Sequence, residues 1–114
     1  MNLRLLLCTI TLAALSACGK SAPVPTVAPA MPLTAELQKA YDGSCKTCHS
    51  IPASGAPQVG DAKAWAPRLA QGKDMLLSHV INGYQKMPPM GLCMQCSEDE
   101  FIALTEHMSG SQLK

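Results

Sequence analysis

Cys45-Lys46-Thr47-Cys48-His49 sets two thiols three residues apart, with an imidazole directly behind them. On a helix, positions i and i+3 share a face and i+4 lies beside them. Both sulfurs and the ring can then serve one flat group held against that face. The spacing is that of covalent haem attachment, in which the thiols add to two vinyl groups and the imidazole meets the iron. His49 is then the proximal ligand, and its second ring nitrogen needs an acceptor to hold the tautomer. A backbone carbonyl of the Ile51–Pro57 loop is the expected acceptor. The chain has 114 residues, enough for one small domain. Aromatic residues make up only 4%, so one bound porphyrin would supply bulk that the side chains lack.

The six cysteines divide by position. Arg4 precedes an uncharged run from Leu5 to Ala17, which ends Leu15-Ser16-Ala17-Cys18. A membrane-spanning helix takes about 20 apolar residues. The shorter run fits a secretory signal, whose apolar part spans roughly 7–15 residues. The Leu-Ser-Ala-Cys ending looks like a bacterial lipobox. On that basis residues 1–17, with Cys8, are removed. Cys18 becomes a lipidated first residue, anchoring a periplasmic protein to a membrane. More than one acyl chain is needed for firm anchoring. Residues 18–33 carry Pro23, Pro25, Pro29 and Pro32 and read as an extended spacer. The folded domain is expected over 34–114.

Within that domain the pattern is helical. Thr34 caps a first helix, with Leu37, Ala40, Tyr41 and Ser44 as its stripe. Asp61–Ala70 is a short stretch interrupted by Pro67. Lys73–Asn82 is a better helix that ends at Gly83 and carries Leu76, Leu77, Val80 and Ile81 on its apolar face. Ser97 and Glu100 form a capping box for a last helix lined by Phe101, Leu104, Thr105 and Met108. No stretch alternates long enough for a strand, so the fold class is all-α with long loops.

Met87-Pro88-Pro89-Met90 falls in a stiff loop after the haem motif. An iron with His on one side can take a Met thioether on the other. Met87 is the expected ligand, ahead of Met90; His79 and His107 are rivals expected to face solvent. Cys93 and Cys96 sit in an oxidising compartment and are expected to form a structural disulfide rather than a catalytic pair. The competing reading is a zinc site of Cys45, Cys48, Cys93 and Cys96, which leaves His49 without a role.

The haem motif with Met87-Pro88-Pro89 resembles class I monohaem cytochromes c. Gly55-Ala56-Pro57, Gly60-Asp61, Trp65-Ala66-Pro67-Arg68 and Met87 to Ser97 look like the cytochrome c-five branch. The resemblance runs from about Leu37 to Met108. It implies three to five short helices around one covalent haem c, with the first and last helices crossed. It also implies that Pro57 accepts from His49, and that Trp65 and Arg68 lie near the haem propionates.

The function expected is single-electron transfer without enzyme activity and without a small-molecule substrate. Partners would be redox proteins: a quinol-oxidising complex, a terminal oxidase or a reductase. Nine basic residues face eight acidic ones, a formal charge of +1, which argues against nucleic acid. Removal of Arg4 equalises the two. Docking should then be weakly steered and apolar, with Gln85, Lys86 and Met90 near the exposed edge. The alternative is a haem-based gas or redox sensor, or an assembly subunit of a larger membrane complex.

Overall fold

The computed structural model describes residues 30–114. The expected signal segment, Cys8, Cys18 and most of the spacer lie outside them. Five α-helices are present among the described residues: α1 Ala35–Gly43, α2 Lys46–His49, α3 Ala62–Leu69, α4 Lys73–Asn82 and α5 Glu98–Ser109. There is no strand among them, only a single bridge between Tyr84 and Met87. The all-α expectation holds.

Three of the five helices, α1, α3 and α5, begin where a side chain satisfies an orphan amide. Thr34 Oγ1 accepts from Leu37 N at 3.3 Å. Asp61 Oδ1 accepts from Ala64 N at 3.0 Å. Ser97 and Glu100 close the capping box of α5, with Ser97 N donating to Glu100 Oε2 at 2.8 Å. Gly72 and Gly83 bracket α4 with φ of 85° and 81°. One expectation changes at Pro67: α3 runs through it to Leu69. Pro67 cannot donate to Lys63 O, but both residues are exposed, and water can take the free carbonyl.

The core joins the two ends of the domain. Tyr41 of α1 packs with Phe101, Leu104 and Met108 of α5, and Cys45, Trp65, Cys93 and Cys96 complete the cluster. Leu76 of α4 is buried too, while Leu77, Val80 and Ile81 are half-buried against the cluster. The packed chain starts ahead of Thr34. Leu33 lies against the core, and His107 Nδ1 bonds Met31 O. His107 also meets the Tyr41 ring edge-on at 4.9 Å, so it is half-buried rather than solvent-facing. Three of the four aromatic side chains are spent in this small core. A cavity opens beside it, sharing Cys45, Trp65 and Met108 with the core.

Candidate functional site

α2 is a single turn, and that turn is the haem motif. Cys45 is its N-cap with helical backbone angles, and His49 N donates to Cys45 O at 2.9 Å. Cys45 and Cys48 are free thiols, Cys45 buried and Cys48 exposed. Burial pushes the Cys45 thiol up from its usual range. His49 is 7% exposed, and its ring stacks on Trp65 with centroids 5.8 Å apart. Its Nδ1 lies 2.8 Å from Pro57 O. A carbonyl only accepts, so Nδ1 carries the proton and Nε2 keeps a free lone pair. Burial lowers the His49 pKa, the Pro57 bond opposes that, and the Arg68 charge lowers it further. All but the Pro57 bond favour a neutral imidazole.

Cys45, Cys48 and His49 line a cavity of about 410 Å³. Trp65 and Arg68 come to it from α3, Leu76, His79 and Val80 from α4, and Thr105 and Met108 from α5. Met87, Pro88, Gly91 and Leu92 come from the α4–α5 connection. The buried members form its floor. Its mouth carries Cys48, Tyr84, Gln85, Lys86 and Leu92, all exposed. Two free thiols, an imidazole with a free lone pair and a thioether around one largely apolar cavity form a donor set that fits a covalently bound haem. They do not fit four-thiolate zinc, because Cys93 and Cys96 are joined to each other in a disulfide with Cα atoms 5.4 Å apart.

The α4–α5 connection is shaped mainly by backbone. Tyr84 and Met87 exchange two hydrogen bonds, of 3.1 and 2.9 Å. Gln85, Met90, Gly91 and Leu92 all have positive φ. The result separates the two methionines: Met87 lines the cavity, whereas Met90 is half-buried against the core cluster. Met90 therefore adds little to the mouth; Leu92, 59% exposed, stands there instead. The same turn folds Tyr84 back onto the last turn of α4, where it stacks on His79 at 4.0 Å. His79 thus lines the cavity instead of facing solvent, a correction that helical periodicity alone does not yield.

Trp65 Nε1 donates to Gln58 O at 2.9 Å, and Arg68 Nη1 donates to Ala64 O on its own helix. Gln58 and Ser54, which no motif marks, bond around the loop that carries Pro57.

The family described as cytochrome c oxidase, cbb3-type, subunit III matches residues 32–108. Cytochrome c5 of Ectopseudomonas mendocina is 41% identical over 68 residues, covering 58% of this chain and 78% of that one. Cytochrome c5 of Azotobacter vinelandii is 43% identical over 68 residues, covering 58% and 82%. Cytochrome c-555 of Chlorobaculum tepidum is 58% identical over 45 residues, 40% of this chain, and the match spans 42% of that relative's length. A chain in the crystal structure of an electron transfer complex of nitrite reductase with cytochrome c aligns with a TM-score of 0.59 at 36% identity. That alignment covers 70% of this chain and 100% of the other. With a matching fold, a matching family over most of the domain and a cavity suited to covalent haem c, the chain belongs to the cytochrome c family.

Proposed function

We propose that this monohaem cytochrome is a lipid-anchored periplasmic electron carrier, with its iron held between His49 Nε2 and Met87 Sδ. The observation that carries the ligation is the 2.8 Å contact of His49 Nδ1 with Pro57 O, which leaves Nε2 as the metal-binding nitrogen. Met87 lines the same cavity and Met90 does not. When bound, haem c supplies a one-electron ferric–ferrous couple, and a Met thioether raises its potential.

The chain's own residues do the rest. Cys45 and Cys48 would tether the macrocycle through thioethers. His49 and Met87 would both hold the iron, which would leave it no open position for a substrate. Trp65, Leu76 and Met108 form a buried floor that keeps water away. Partners are redox proteins, which we take to be a quinol-oxidising donor and an oxidase or reductase acceptor. The relative found with nitrite reductase favours the reductase class. Tyr84 and Leu92 at the mouth, 41% and 59% exposed, suit a small, transient apolar encounter with little electrostatic steering.

The anchor rests on the Leu15-Ser16-Ala17-Cys18 ending, with a spacer from Cys18 and an electron-carrying domain whose packed part already includes Met31 and Leu33. Among the described residues no helix is long and apolar enough to cross a membrane. Cys18→Ser should move the protein from the detergent-extracted to the soluble periplasmic fraction; continued membrane retention would remove the anchor.

Met87→Ala should lower the potential by on the order of 0.2 V, within the roughly 0.8 V range that axial ligands span. It should also admit carbon monoxide to the ferrous protein at neutral pH. Met90→Ala should do neither. The reverse pattern in a redox titration would make Met90 the ligand, and fast carbon monoxide binding by the unmutated protein would favour a gas sensor.

A further inference from the structure

The loop that presents Pro57 to His49 is closed by two side chains. Gln58 folds back across it, its Nε2 lying 3.3 Å from Cys48 O, 3.2 Å from Ile51 O and 2.7 Å from Ala56 O. All three partners are carbonyls and can only accept, so the amide nitrogen must face them, sharing two protons among three oxygens. Ser54 Oγ donates to the same Cys48 O at 2.6 Å and accepts from Ala56 N at 3.1 Å. Cys48 lies in the one-turn helix α2, whose last carbonyls have few partners within the helix. Here one of them, Cys48 O, which also accepts from Ile51 N at 3.3 Å, is used to tie a loop down.

The Gln58 backbone is fixed as well. Its carbonyl accepts from Trp65 Nε1 at 2.9 Å, and the next amide, Val59 N, donates to His49 O at 3.0 Å. Pro57 therefore stands between Ala56, bound by the Gln58 carboxamide, and Gln58, bound by Trp65. Pro57 has no N–H of its own with which to be held.

We propose that Gln58 is a positioning residue for His49: its carboxamide, bonded across Cys48, Ile51 and Ala56, keeps the Pro57 carbonyl on His49 Nδ1. Through that bond it sets how strongly the imidazole donates to the iron. A firm acceptor on the outer nitrogen makes the ring more basic, which favours the ferric state and lowers the potential. The inference rests on His49 being an axial ligand.

The test uses the haem-loaded protein and three variants. Gln58→Glu keeps the shape but sets an ionised carboxylate against three carbonyl oxygens. Gln58→Leu removes the bonds without that repulsion, and Ser54→Ala removes only the second tie. Proton exchange at His49 Nδ1–H, followed by NMR, should quicken most in Gln58→Glu, because a firm acceptor on the ligand's outer nitrogen is what holds that proton. Gln58→Leu should follow, then Ser54→Ala, with the potential rising in the same order. Unchanged exchange and potential in Gln58→Glu and Gln58→Leu, even with a lowered Tm, overturn the proposal, because Gln58 then only stabilises the loop. If Gln58→Glu does not fold, Gln58→Leu and Ser54→Ala decide by the same two readouts. A wild-type protein whose His49 ring resonances lack the shift of an iron-bound imidazole overturns the ligation itself, and with it the proposal.

Discussion

The two segments that bring His49 and Met87 to the cavity are built in different ways. Around His49, side chains do the holding. Pro57 O accepts a hydrogen bond from Nδ1–H, and the Ser54 and Gln58 side chains bind the carbonyls around the loop that presents it. Trp65 stacks on the ring. Around Met87 it is the backbone that holds. Gly83 turns the chain, Tyr84 and Met87 pair through their main chains, and positive φ recurs at Gln85, Met90, Gly91 and Leu92. Among the described residues, no side-chain hydrogen bond involves residues 83–96; the Cys93–Cys96 bridge is the one cross-link there. An imidazole offers a second nitrogen by which its orientation can be fixed, whereas a thioether offers none. The protein can aim a Met sulfur only by fixing the chain that carries it. It follows that the Met segment should yield first when backbone geometry is disturbed, with the His segment left in place.

The largest effect is expected at Gly83. Its φ is 81°, and a Cβ there would meet Met87 O at 2.8 Å and Pro89 N at 3.0 Å. Both neighbours are backbone and have little room to give. Gly83→Ala should cost about 3 kcal/mol, from a strained left-handed residue plus the displaced loop. Calorimetry on the haem-loaded protein measures that loss. Carbon monoxide should bind the ferrous variant while the His49 Nδ1–H resonance stays where it is. Loss of the His49 resonance together with the Met bond would show that the two segments are not separable.

Removing the bridge comes next. The Cys93→Ala/Cys96→Ala variant opens a very short loop, for which chain entropy gives about 2 kcal/mol. For a domain of this size that is a fall in Tm of roughly 10 °C. Cys93 is 1% exposed, so alanine rather than serine avoids burying an unpaired hydroxyl. External ligands such as imidazole should reach the ferric iron faster on the Met side. An unchanged rate would mean that Gly83 and the positive-φ run hold Met87 without the bridge.

The same contrast explains what could be read from the sequence. Two helix starts were legible because caps are local: Thr34 and the Ser97–Glu100 pair lie within three residues of the amides they satisfy. The haem motif was legible because one helical turn contains all of it. Pro57 came only through the family resemblance; the residues alone pointed no further than the loop. Gln58 was invisible, since its reach to Cys48 spans ten residues of irregular loop and leaves no periodic trace. His79 looked solvent-facing because nothing in a helical pattern reports that Tyr84 will fold back over it. Met87 and Met90 flank the same Pro-Pro pair, and positive φ at Met90, not side-chain chemistry, sends them to different places.

The smallest effect belongs to the His segment's outer surface and checks that its stability comes from within. Asp42 of α1 meets Lys46 of α2 at 2.9 Å, the one salt bridge among the described residues. The Lys46 hydrogen bond, then one from Gln38, holds the Asp42 carboxyl below its ordinary range, and Asp42 raises the Lys46 pKa in return. Both groups are open to water, so the pair is screened and contributes little. A depressed carboxyl pKa means that the unfolded chain takes up the proton first. Whatever stability the pair adds is present above the unfolded carboxyl pKa and is lost as pH falls through the folded one. Asp42→Asn should therefore lower Tm slightly at neutral pH and low salt. The difference should vanish in strong acid or in about 1 M salt, with the potential and the His49 Nδ1–H signal unchanged throughout. A shifted potential in Asp42→Asn would mean that the outer face of the haem motif is coupled to the iron, and that the His segment is held from outside as well as by Pro57, Ser54 and Gln58.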